Sequence, residues 1–587
     1  MHSTDPWRGF MEGLWQTSVD VGNFLELNLQ PYSGAGDFLV AAKNAEIDTS
    51  IPWPANAAVP PGGFSHHESE SVASNAHHPR QDRQHIAHLD AALEAGLLHG
   101  MPEPLSRCAI AADVRRVALY GLDFLCCERR IRLTALNDGP LTRELLHQRR
   151  DLSAQIRAME ALRETATAQG IEIARPAASA HEAVLFMCLT AIWVASEAGQ
   201  AAFPIGRLCA FLDVYIQRDL IEQSLTEQRA QQLVAELVGR LHGMQVLVAR
   251  LREAVEAVEA VDFRDPVECI AGLSVAGQAQ VTRTSFRILE ALRQCTARPA
   301  PPLAVLWSLE LPQAFRDFCT DVARDTGAVQ FHRDAELRAA LHGDHDYVVG
   351  RDTPALRVGR QVLLDAGHVN LPKALLYAIN GGVDEQSGVL VVPGFEPCWD
   401  DVLDYEKVVG LLDRMLDWLA ATCIHAFNGA HLLRERSGGG AHLALALHDS
   451  RAACVVACHV DGLCVLANSL SAIRYAAVEV LRNDDGLAVD FMANESFPAR
   501  CCDGGVAEGI ADALCEALEQ KLRAQPYIYR NARPVVLPGN AVSNAISGKK
   551  TGNTPCGRRA AEAFPMLADG LPLAGRQPPS SGGQQSS

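Results

Sequence analysis

The chain has 587 residues, of which 48% are hydrophobic and 21% charged, the balance of a soluble globular protein rather than a disordered or fibrous one. Its formal charge of −18 argues against a broad nucleic-acid groove, which needs a net basic surface. The 17 cysteines are an odd number, and several (Cys188, Cys209, Cys454, Cys464) sit inside apolar runs, as free buried thiols do in a reducing compartment.

The first residues carry neither a basic start nor an apolar core, so no secretory signal is expected and the setting is read as cytoplasmic. Residues 1–49 form an N-terminal segment, within which 7–40 hold short helix and turn signals. Residues 50–96 are rich in Pro, His and Ser and read as a poorly ordered loop. Their histidine pairs, His66-His67 and His77-His78, lack accompanying Cys or carboxylate spacing and read as solvated. Residues 113–260 read as mostly helical, with Ser224 and Glu227 fitting a capping box. The apolar stretch Ala183–Ala195, bracketed by Glu182 and Glu197, is shorter than the ~18–20 residues that span a bilayer and reads as a core helix, so no membrane association is expected. From about 270 to 500, β-like runs (Leu303–Leu309, Val389–Val392, Cys454–Val456, Cys464–Ala467) alternate with helical windows such as Tyr405–Ala421. That alternation predicts an α/β fold with a largely buried sheet. Residues 566–587 read as a disordered tail.

Generic motifs add little. Cys454, Cys458, His459 and Cys464 match neither a zinc pair nor a haem attachment spacing, and the apolar residues between them read as buried strand. Gly548–Gly552 holds a Gly-Lys pair and a threonine but lacks the earlier glycine of a phosphate loop. No metal site is expected.

Several blocks, in order along the chain, carry more. They are Asp113–Asp123 (DVRRVALYGLD), Gly206–Asp219 (GRLCAFLDVYIQRD), Val281–Leu289 (VTRTSFRIL) and Leu306–Pro312 (LWSLELP). Further on come Leu376–Glu385 (LYAINGGVDE), Asn468–Ala476 (NSLSAIRYA), Asp484–Phe491 (DDGLAVDF) and Ser547–Arg559 (SGKKTGNTPCGRR). Together they resemble the pyruvate formate-lyase (formate C-acetyltransferase) family of glycyl radical enzymes, over about residues 7–40 and 97–565. The resemblance implies a ten-stranded α/β barrel surrounded by helices, built from two five-stranded halves and usually dimeric. Inside it a finger loop presents two adjacent cysteines. It also implies the reaction of pyruvate with coenzyme A to give acetyl-CoA and formate, through a glycyl radical installed by an S-adenosylmethionine-dependent activating enzyme. Arginines clamp the pyruvate carboxylate.

Against that pattern the finger loop falls between Asp346-Tyr347 and Val358–Gln361, and Arg351 and Asp352 stand where the resemblance places the cysteine pair. Neither side chain can form a thiyl radical or a thioester. Asp365 replaces a pocket phenylalanine and His368 a carboxylate-binding arginine. Arg107 is the one arginine left where the family has two, and Trp307 is a weaker pocket candidate. The radical-bearing Arg-Val-Ser-Gly-Tyr-Ala motif does not occur in this sequence, which suggests a chain lacking the C-terminal radical domain. The expectation is a family member without its family's activity and with no bound cofactor. It is either a non-catalytic partner, homodimeric or paired with an active homologue, or a decayed gene copy. A stand-alone glycyl radical protein would not restore the missing thiols.

Overall fold

The computed structural model describes residues 21, 24–25, 29–34, 89–100, 108–136, 142–198, 205–256, 268–295, 301–341, 343–350, 355–436, 441–449, 453–499 and 505–565. Two sheets face a shared interior. In the first, β8 (Gln361–Asn370), β9 (Ala453–Asp461) and β12 (Arg533–Pro538) run parallel, while β1 (Leu98–His99) and β2 (Cys108–Ile110) lie antiparallel along one edge of β8. In the second, β3 (Cys269–Ala271), β4 (Leu303–Trp307) and β5 (Val329–Arg333) are parallel, and Gly206 bridges β3 in the same sense. Two hairpins complete the strands: β6 (Tyr347–Val348) with β7 (Leu356–Arg357), and β10 (Val478–Arg482) with β11 (Ala488–Ala493).

Parallel strands need covered faces, and the helices supply the cover. The helix Ala180–Ala198 is apolar nearly all round and buried on most of its surface, the behaviour expected of a core helix. No helix among the described residues is long and apolar enough to cross a membrane. The helix Arg283–Gln294 starts at Thr282, whose hydroxyl and that of Ser285 cap each other's backbone N–H, so the block containing them marks a helix start. Asn370 caps the helix Leu371–Ile379, with Pro372 in its first turn, where proline's missing N–H costs nothing.

Several expectations need correcting. The long helix after residue 220 spans Glu227–Glu256 and is capped by Thr226, whose hydroxyl accepts from the Arg229 N–H; Ser224 instead donates to the Asp219 carbonyl. Cys464–Ala467 belongs to the helix Leu463–Tyr475, because Gly462 turns the chain out of β9 just before it. Val389–Val392 makes a single bridge, Leu390 to Val383, and no strand. Leu89–Ala95, assigned from sequence to a poorly ordered loop, is a helix whose Leu89 and Ala92 are buried at helical spacing. Residues 50–88 and the segment 566–587 lie outside the described residues.

Candidate active site

The interior between the sheets is filled by the β6–β7 hairpin. Its side chains (Tyr347, Val348, Val349, Leu356, Val358) form one cluster with Cys269, Ala304 and Leu306 of the second sheet and Leu363, Val455 and Ala457 of the first. The finger loop therefore enters the barrel core, as the sequence blocks imply. Its tip, Arg351 and Asp352, lies outside the described residues, as does Arg107.

The base of the finger is clamped by charge. Arg115 Nη1 and Nη2 donate to Asp346 Oδ1 and Oδ2 at 3.1 and 2.8 Å, while Nε and Nη2 reach Asp113 Oδ1 and Oδ2 at 2.7 and 3.0 Å. The Arg115 side chain is fully buried, so both carboxylates are paired where water cannot screen them. Burial alone would raise the Asp346 pKa, but the paired guanidinium outweighs it and holds the carboxyl below its ordinary range. Tyr347 donates its hydroxyl to Asp334 Oδ1 at 2.5 Å, and the Arg207 guanidinium lies over its ring. A Cβ at Gly206 would stand 2.5 Å from Val358 Cγ2 and 2.6 Å from Val348 Cγ1, so only glycine leaves room for the stem there. The Gly206–Asp219 and Asp113–Asp123 blocks thus serve the seat of the finger.

The thiol found at the described stem is Cys269. Its Sγ accepts from the Val349 N–H at 3.3 Å and lies 3.7 Å from the Val349 carbonyl. Burial pushes this thiol up to about 12, so it is protonated and unreactive as a nucleophile at neutral pH. Next to it in sequence, Glu268 is also buried and accepts from the Cys209 N–H at 2.6 Å; burial lifts its carboxyl to about 7.

At the C-terminal ends of β8 and β9 a second cluster forms. Register pairs His99 with His368 and His368 with His459, so three imidazoles lie side by side across three strands. The rings stack, with centroids 4.6 Å (His99–His368) and 4.7 Å (His368–His459) apart, the inter-strand spacing. A β-bulge between Asp365 and His368 makes this possible: Gly367, at φ +88°, is in the left-handed region, and its N–H donates to Asp365 Oδ1 at 2.7 Å. The extra residue turns Asp365 and His368, three apart, to the same side, and Asp365 Oδ1 reaches 3.9 Å from His459 Nε2. Asp461, two residues beyond His459 and fully buried, lies beneath the rings. His99 Nε2 is 2.6 Å from Oδ2 and His368 Nδ1 is 3.3 Å from Oδ1. Ser543 and Ser547, one turn apart on the helix Ala541–Lys549, donate to Oδ1 and Oδ2 at 2.7 Å each. Burial opposes ionisation of Asp461, but hydrogen bonds to His368 and His99 outweigh it and hold its carboxyl well below the usual range.

The structure thus brings Asp365 and His368 together with His459, Asp461 and His99, three residues that the sequence reading did not select. Trp307 sits elsewhere, at the end of β4, edge-on to Phe331 at 5.1 Å. The Cys454, Cys458 and His459 run is buried strand, and alternation separates its members: Cys458 packs in the cluster behind the sheet while His459 faces the interior. The Gly548–Gly552 segment is structural. Lys550 gives its carbonyl, and Asp384 and Glu385 their carboxylates, to the buried Lys373 Nζ at 2.6–3.0 Å, and Gly552 donates its N–H to Glu385.

A model of the pyruvate formate lyase-like family matches residues 70–542. The chain is 32% identical to formate acetyltransferase 1 of Escherichia coli (strain K12), over 97% of this chain and 83% of that protein. Identity to the formate acetyltransferase of Haemophilus influenzae is also 32%, with the same coverage. Among solved structures it is similar to a hydroxyproline dehydratase from Clostridioides difficile, with TM-score 0.64, 16% identity, and 96% of this chain and 82% of that one covered. A glycerol dehydratase from Clostridium butyricum gives TM-score 0.62 at 14% identity, covering 85% of this chain and 68% of that one. At these identities the two solved structures speak for the fold alone, a glycyl-radical-enzyme-type α/β barrel. By sequence match along most of its length, the chain belongs to the pyruvate formate lyase-like family.

Proposed function

We propose that this family member does not carry out the formate acetyltransferase reaction and persists as a folded, non-catalytic partner, either of itself or of an active homologue. The observation that carries the reading is the finger. Its stem is seated in the core between both sheets, yet no cysteine occurs between Cys319 and Cys398, and its tip reads Arg351-Asp352. An acyl thioester needs a thiol that can attack a carbonyl, and neither guanidinium nor carboxylate can substitute for it. Cys269 lies beside the stem, but its buried, protonated sulfur is held by the Val349 backbone. Arginine replaced by His368 also removes a fixed bidentate donor for a carboxylate.

Retention of the scaffold favours a partner over a decaying copy. The Arg115–Asp346 and Lys373–Asp384–Glu385 pairs are buried, and loss of one member of such a pair costs about 3–5 kcal/mol. A drifting sequence would break them early.

The test is anaerobic incubation with pyruvate, coenzyme A, S-adenosylmethionine and an activating enzyme. A glycyl radical protein is supplied separately, so that the outcome does not depend on the chain's own C-terminal segment. No formate above the chain-free control is expected. Formate release that depends on the chain would overturn the reading, and its loss in Cys269→Ala would assign it to that thiol. For the partner role, native mass spectrometry of the chain with and without an active homologue should show a dimer; a monomer in both would refute that part.

A further inference from the structure

We propose that His99, His368 and Asp461 form a binding site for one divalent first-row transition-metal ion, with Zn2+ or Co2+ as suitable occupants. This goes beyond the reading above and does not depend on it.

Two imidazoles and one carboxylate are the donor set that leaves open positions on such an ion. Candidate ligand atoms of these three residues all lie within 4.8 Å of one another. Two ligands about 2.0–2.1 Å from a tetrahedral ion stand about 3.3 Å apart. The His368 Nδ1–Asp461 Oδ1 separation is 3.3 Å. The His99 Nε2–Asp461 Oδ2 distance of 2.6 Å is a hydrogen bond that must open by about 0.7 Å to admit the ion, and the His99 ring, stacked within 10° of parallel on His368 and 3.0 Å from Ser547 Oγ, must also turn so that its nitrogen faces the ion. His99 can make that move: its side chain is 19% exposed, against 11% for His368 and none for Asp461. Solvent thus reaches the one ligand that has to shift.

The surroundings are those of a built site. Metal ligands need outer partners that fix their orientation. Ser543 and Ser547 both donate to Asp461, one to each oxygen, and so hold the carboxylate plane while leaving further lone pairs free. The stack on His459 fixes the His368 ring in turn. Strand register, rather than loop geometry, sets the separation of the ligands, and sites on strands are held more closely than sites on loops. Binding replaces the imidazole–carboxylate hydrogen bonds of these residues.

The probe is Co2+, added to the full-length chain after treatment with a chelator. Uptake is followed by equilibrium dialysis with metal analysis and by visible absorption, which separates nitrogen and oxygen ligation from thiolate ligation. One equivalent of Co2+ with an N/O-type spectrum is expected. His99→Gln and His368→Gln should each lower affinity by more than the about 10–100-fold expected of an outer partner. His459→Gln, which removes only the ring that orients His368, should lower affinity by no more than that about 10–100-fold, and Cys458→Ser should leave uptake unchanged. Circular dichroism checks that each variant is folded, and X-ray absorption on the loaded wild-type chain should count two imidazoles. No saturable uptake by the folded wild-type chain would overturn the proposal. So would uptake undiminished in both histidine variants, or a thiolate spectrum.

Discussion

Replacing Arg115 with methionine should free the finger from the barrel. Methionine keeps the length and apolar body of the side chain but leaves Asp113 and Asp346 unpaired, with side chains only 6% and 12% exposed. Breaking a buried pair in this way costs about 3–5 kcal/mol, most of it the desolvation of the carboxylates left behind. The cost falls where Asp346 joins β6, so it favours local opening of the hairpin over global unfolding. Amide hydrogen exchange read by mass spectrometry on peptides covering 343–361 is the direct assay. Val358 N–H donates to the Asp346 carbonyl at 3.0 Å and Gly359 N–H to the Ala111 carbonyl at 2.6 Å, so both amides report the seating of the stem. At 1.4 kcal/mol per tenfold, exchange there should accelerate by roughly 10²- to 4 × 10³-fold, while the helix Leu463–Tyr475 stays unchanged. Arg324→Met serves as control: its pair with Asp321 is 71% and 57% exposed and should be worth at most about 1 kcal/mol. Equal exchange in the Arg115 variant, the Arg324 variant and the parent would show that the buried clamp does not hold the finger.

Gly206→Ala should press its new methyl on Val348 and Val358 and destabilise by about 1–3 kcal/mol, read as a lowered thermal midpoint and faster exchange in the stem; an unchanged midpoint refutes the steric account. Glu268, with its folded pKa raised to about 7, penalises folding as pH rises from its unfolded value of about 4.5 through 7, by up to about 3 kcal/mol. Glu268→Gln should therefore flatten stability across that window and be the more stable form at pH 8; parallel pH profiles for parent and variant would refute this. Asp346 and Asp461 titrate below their ordinary range, so their contribution is complete above about pH 4 and is lost as pH falls further. Asp346→Asn should be less stable at neutral pH and lose less on acidification than the parent; an identical acid limb in a denaturation series would count against it.

Sequence blocks conveyed the family, the barrel and the position of the finger, because each block is a local cap, turn or anchor whose residues lie close in the chain. Thr282 with Ser285, inside the block Val281–Leu289, is of that kind. The histidine cluster was not legible. Asp461 lies 362 residues from His99 and 93 from His368, and only strand register joins them. The bulge at Gly367 hides it further, since simple alternation would put Asp365 and His368 on opposite faces. Cys464–Ala467 misled for a related reason: an apolar run of four cannot by itself tell strand from helix, and the turn at Gly462 decides it. The partners of Lys373, Asp384 and Glu385, stand 11 and 12 positions away, past the end of the helix Leu371–Ile379 that carries it, so no helical or strand period reveals the pairing.

Gly206 and Cys269 hold the hairpin from one sheet, Arg115 and the Ala111 carbonyl from beside the other. The stem therefore works like a wedge driven between two half-shells. Any breathing of the shells must first unseat it, and any pull on it is felt by both at once, so motion at the loop and motion of the walls are a single mechanical mode.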